Sequence, residues 1–127
     1  MKVNIPSKIE DHQIVARNSP EHRSCALEAA REAAQVLSIF ENENPNDDRP
    51  RQAIDAIRAW ACGKRELGMA EVRTLSLNSH AAAREAKTDA ARFAARAAGH
   101  AVATWHVPEH AGVVPKYVAK AIELTKR

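Results

Sequence analysis

Glycine, proline, cysteine and aromatic residues are all scarce in this chain of 127 residues: four glycines, six prolines, two cysteines, two tryptophans, one tyrosine and two phenylalanines. So little glycine and proline excludes collagen-like and turn-rich sheet architectures. The two cysteines, Cys25 and Cys62, form no CxxC spacing, which excludes a disulfide framework or a cysteine zinc site and reads as reduced thiols. No apolar run approaches the 18 or so residues of a membrane span, and the start, Met1-Lys2-Val3-Asn4-Ile5-Pro6, has no apolar stretch of a signal peptide. The expectation is a cytoplasmic protein that does not enter a membrane.

Alanine fills the gap: 26 of the residues are alanine, within a hydrophobic share of 45% and a charged share of 28%. Alanine has the lowest helix-forming cost and a poor fit to strands. A chain of this length buries enough surface to hold one core without metal or disulfide. The fold class is therefore all-α: a compact bundle of five to six helices in one domain, with α-solenoid stacking as the alternative, because Ala-Ala-Arg-Glu-Ala occurs at both 29–33 and 82–86. The net charge of +3 is unevenly spread. Residues 1–48 carry five basic and nine acidic side chains, residues 49–127 fourteen basic and seven acidic. That excess is thin beside an arginine-rich arm, so nucleic acid is disfavoured as a partner.

Residues 1–18 read as an N-terminal arm with a short helix ending near Asn18, and 19–127 as the helical domain. Ser19 can cap a helix, with Pro20 at its first position and Glu21 complementing the dipole. Cys25, Ala26, Ala29, Ala33, Val36, Leu37 and Phe40 then share one face, predicting a helix from 19 to about 41. Residues 41–49 carry four acids, Glu41, Glu43, Asp47 and Asp48, and predict an exposed acidic loop. Pro50 opens the next helix, with Ala53, Ile54, Ile57, Trp60 and Ala61 inward and Gly63 as its stop. Gly68 opens another, in which Val72, Leu75, Ser79, Ala82 and Ala86 form one stripe and Met69, Ser76, His80 and Ala83 a second. Thr88-Asp89 caps a helix to about Trp105 that is small or apolar nearly all round, so it belongs at the centre, with Gly99 at the tightest crossing. The last helix turns Val114, Tyr117, Val118 and Ala121 inward, with an irregular first turn because of Pro115.

Four histidines crowd the second half: His80, His100, His106 and His110. None forms HxxxH or HExxH on one continuous helix, so a metal site is not expected, and buried histidines making ordinary hydrogen bonds are. His80 and Arg84, four apart, with Glu85 beside them, mark a polar pocket that folding can close with His100 and His110. Arg58 near Trp60 suggests an anion site, but residues two apart do not face each other, which makes Trp60 a core anchor and Arg58 a partner for Asp55. No activating field adjoins either cysteine. No catalytic residue, metal or cofactor is assigned.

The run Arg58-x-Trp60-x-x-Gly63, then Ser79-His80-Ala81-Ala82-Ala83-Arg84-Glu85-Ala86, then 94–107 with Gly99-His100 and Trp105-His106, then His110-Ala111 and Tyr117-x-x-Lys120-Ala121, resembles the Imm-5-like family of bacterial immunity proteins. The acidic turn Pro45-x-Asp47-Asp48-Arg49-Pro50 is similar too, and the likeness spans about residues 20–122. It implies a small helical protein that binds and neutralises a polymorphic toxin by occlusion, with no catalysis. Trp105 departs from the pattern, which leads one to expect a small residue there. Under this reading Glu41, Glu43, Asp47 and Asp48 contact a basic toxin. The alternative is a metal- or small-molecule-binding helical enzyme built on His80, His100 and His110. The alanine-rich faces also leave a homodimer open.

Overall fold

A helix whose buried positions carry almost no side-chain bulk sits where every other helix can reach it. In the computed structural model, which describes residues 15–126, that helix is α5 (Asp89–Ala103). It is surrounded by α1 (Pro20–Ala34), α2 (Leu37–Glu43), α3 (Arg49–Ala61), α4 (Met69–Glu85) and α6 (His110–Thr125), all of which touch it. Among the described residues there is no strand. Nine of the fifteen residues of α5 are buried, eight of them alanine or valine and the ninth Gly99. Such a surface lets neighbouring backbones come close, and bulk is supplied from outside it: Trp60, Phe40, Ile54, Ile57 and Val36 are all essentially solvent-free. Burying each of the larger of these contributes roughly 1.5–3 kcal/mol. One central helix touched by five others is a bundle, and the solenoid alternative falls.

Local signals set the helix ends. The Ser19 hydroxyl accepts from the His22 N–H (3.1 Å), and that of Thr88 accepts from the Ala91 N–H (3.2 Å). Gly63, at φ +77°, ends α3: its N–H donates to the Trp60 carbonyl and that of Lys64 to the Ala59 carbonyl, the paired bonds of a left-handed cap. α6 begins with an irregular turn, in which His110, Ala111 and Gly112 each donate to the carbonyl three residues back, but Pro115, expected to be kept from the helix interior, sits within α6.

Two expectations are corrected. The helix predicted from 19 to 41 is two helices, because Gln35 and Val36 donate to carbonyls three residues back and Val36 leaves helical geometry at φ −114°, ψ 5°. The bend redirects Leu37 and Phe40, both buried, onto α5. The acidic stretch is not a loop throughout, since Glu41 and Glu43 lie on α2 and only 44–48 connect to α3. The expected arm and first helix lie outside the described residues except for 15–18. There, Ser19 donates to the Ala16 carbonyl across a turn and Asn18 adopts φ 63°.

Candidate functional site

Three of the four clustered histidines meet in the groove between α4, α5 and α6. On α5, Phe93, Arg96 and His100 are spaced three and four apart, so they share one face. On α6, His110 and Tyr117 are two turns apart on one face, and His80 comes from α4. The rings form a continuous stack. His80 meets His100 edge-on with centroids 5.0 Å apart, Tyr117 lies flat on His100 at 4.9 Å, and Phe93 follows at 5.8 Å from Tyr117. His110 packs on His100 at 5.1 Å, with the two Nδ1 atoms 3.0 Å apart.

These contacts define protonation. The Arg96 guanidinium can only donate, so at 2.9 Å it holds His80 Nδ1 as an acceptor and the proton of a neutral His80 sits on Nε2. The His100–His110 contact requires one Nδ1 to carry hydrogen and the other to accept, so both rings cannot be imidazolium. Burial, aided by His100, Arg96 and Arg84, pushes the His80 pKa down to about 4. Burial, with His110 and Arg96, does the same to His100, also to about 4. His110 is lowered too, chiefly by burial, against the opposing pull of Glu109. At neutral pH the group is an uncharged hydrogen-bonding stack beside two arginines.

Nearby hydroxyls are committed to α5, Ser76 donating to the Gly99 carbonyl (3.1 Å) and Ser79 to that of Ala95 (2.8 Å). The Cys25 thiol is pushed up by burial and by Glu21, the reverse of an activated nucleophile. The imidazoles stack ring on ring, and among the described residues no group of three His, Cys, Asp or Glu side chains is arranged to hold a metal.

The expected pocket of His80, Arg84, Glu85, His100 and His110 is assembled only in part. Arg84 is exposed on α4 and acts on His80 through its charge. Glu85 is not in the pocket. It lies five residues from His80, roughly 140° round the helix axis, and its Oε1 accepts from Arg49 Nη2 at 2.7 Å. Arg96 and Tyr117 complete the stack instead. Arg58 pairs with Asp55 at 3.7 Å, as expected, and the cation over Trp60 is Arg23, 4.3 Å from the ring centroid. His106 stands apart from the stack. Arg17 Nη1 lies 3.5 Å from its Nδ1, and the same guanidinium covers Trp105 at 4.9 Å, so the unexpected indole carries a cation.

Glu85 joins the acidic end of the molecule. Glu41 accepts two 2.7 Å bonds from Arg51, and Asp47 accepts from Arg49 Nε (2.9 Å), Nη2 (2.7 Å) and backbone N–H (3.1 Å). The Arg49 guanidinium holds the Asp47 carboxyl below the usual carboxylate range. Glu43 accepts from Thr88 (2.5 Å) and Asp48 from Gln52 (2.8 Å). Every acid of the segment is positioned by a partner, while Glu43 and Asp48 remain exposed.

One buried histidine was not singled out from the sequence. His22, fully buried, accepts from the Asn18 N–H at Nδ1 (3.0 Å) and therefore donates through Nε2 to the Thr104 carbonyl at 2.6 Å. The signal was present, since 22, 26, 29 and 33 share one helical face.

A family model described as "Imm-5 like putative immunity protein" matches residues 17–127. No curated protein and no solved structure matches the chain.

Proposed function

Because the chain belongs to the Imm-5 like immunity protein family, we propose that it binds a cognate bacterial toxin and blocks it by occlusion, without chemistry of its own. The match over residues 17–127 carries this reading. The site chemistry supports it: the imidazoles are neutral, His100 bonded to His110 and His80 to Arg96, and the neighbouring serines are tied to helix carbonyls. Glu41, Glu43, Asp47 and Asp48, extended by Glu85, form the contact for a basic toxin surface. Arg51 and Arg49 fix two of these carboxylates in advance and so reduce the ordering cost of binding. The His80–His100–His110 stack, with Arg84 beside it, frames the groove internally. The protein acts in the cytoplasm, and nucleic acid is not its partner.

The test is native mass spectrometry of the protein purified gently from its source cells, followed by co-expression with any polypeptide that accompanies it. The expected result is a second polypeptide, toxic alone and harmless alongside this chain. The same spectrum gives the number of copies of this chain. A species carrying metal or a small ligand, with no protein partner, would overturn the proposal in favour of an enzyme built on the histidine group.

A further inference from the structure

On the reading that this chain works by binding a protein, we infer that a second contact lies at the cavity between α4, the end of α5 and the start of α6. It takes a branched aliphatic side chain of the partner that has a carboxylate beside it. The cavity has a volume of about 170 Å³, with Met69, Val72, Ala103 and Val107 supplying its apolar wall. An apolar cavity of roughly 150 Å³ accommodates a benzene-sized group, so a leucine or isoleucine side chain fits. Leu77 stands at its edge with 60% of its surface exposed, against 38% for Ile122, the other large hydrophobic residue exposed among those described. A lone exposed leucine needs no explanation, but one beside an open apolar cavity extends the surface an incoming side chain would cover.

Charge selects the partner. The polar lining is Arg73, Ser76, His106 and His110, with no carboxylate. Arg73 is exposed and makes no ion pair among the described residues, while the nearby Glu71 is taken by Arg65. Ser76 is committed to the Gly99 carbonyl and His110 Nδ1 to His100. Glu109 lines a separate cavity with Cys25 and Glu28. No carboxylate of the lining competes for the Arg73 guanidinium, so an acid on the partner is attracted there and a basic residue repelled. Because the acidic end lies beyond Glu85, at the far end of α4, the two contacts are well separated along one helix.

The test is a methyl NMR titration of the full chain with the capped dipeptide acetyl-Leu-Asp-amide, using acetyl-Leu-Asn-amide and acetyl-Ala-Asp-amide as controls. Saturable shifts at Met69, Val72, Leu77 and Val107 are expected with the first peptide, with affinity about fivefold weaker for acetyl-Leu-Asn-amide and about tenfold or more weaker for acetyl-Ala-Asp-amide. In Arg73→Gln, whose site is exposed, the Leu-Asp and Leu-Asn peptides should bind alike. Shifts that do not saturate, or equal affinity for all three peptides, would overturn the inference. So would a concentration-dependent dimer lost in Leu77→Asp, which would seat a second copy of this chain there. Suppression of toxicity by the intact chain tests the underlying reading separately. Full suppression by Leu77→Asp, with no peptide binding, removes this contact and leaves that reading standing.

Discussion

The His80 ring lies directly over Gly99: a methyl group built on that glycine would stand 2.7 Å from His80 Nε2 and 2.8 Å from Cε1. Gly99 is thus a close-approach glycine on α5, and what approaches it is a side chain of α4. Gly99→Ala would push the imidazole away from Arg96. Overpacking costs about 1–3 kcal/mol, while replacing a mid-helix glycine returns up to about 1 kcal/mol, so the net effect should be destabilising. Urea denaturation measures it, and a variant more stable than the parent would show that His80 is free to move.

Acid should loosen the α4–α5–α6 groove. His80 and His100 have folded pKa values of about 4, below the 6.5 of an unperturbed histidine. The unfolded chain therefore binds more protons between these values, and stability present above about pH 6.5 is lost as the pH falls towards 4. The lowered His110 and His22 add in the same direction. Melting temperature followed from pH 7 to 4.5 should fall, with a shallower slope in His100→Gln. An unchanged slope in that variant would mean the stack does not govern the acid response.

Replacing His22 removes a link between the start of α1 and the end of α5. In His22→Ala the Thr104 carbonyl and the Asn18 N–H lose their partner, and the space beside Trp60, 4.9 Å from the imidazole centroid, opens. Leaving the buried Thr104 carbonyl unsatisfied costs about 1–3 kcal/mol, and the cavity adds to this, while the exposed Asn18 N–H can turn to water. Chemical denaturation should therefore show one of the largest single losses in the molecule, and a loss under about 1 kcal/mol would contradict the assignment.

The two thiols should separate in labelling. Cys62 is exposed at the end of α3, whereas Cys25 is half-buried and its pKa is raised by burial and Glu21. Under native conditions near pH 8, a disulfide reagent should modify Cys62 first and Cys25 much more slowly. Equal rates would point to opening of α1.

Much of the fold could be read from the residues because its signals are local. Ser19-Pro20, Thr88-Asp89 and Gly63 act within one turn, and the alanine faces of α5 repeat every three or four residues, so the caps, the stop and the central helix follow from short-range chemistry. The split at Val36 was not readable, because the stripe continues unbroken through it, and the bend goes with the burial of Leu37 and Phe40 on α2, which packs on α5.

The candidate site shows the same division. Helical spacing places His80 near Arg84, and His110 on the face of Tyr117, and that much the chain alone determines. Which partners meet across helices was decided by the tertiary structure: Arg96 with His80, His100 between His110 and Tyr117, and Glu85 drawn away to Arg49. These pairs lie 10 to 36 residues apart, and those of the histidine stack depend on how closely α4, α5 and α6 approach, a distance set by the small side chains of α5 and by Gly99. No spacing within one helix encodes it.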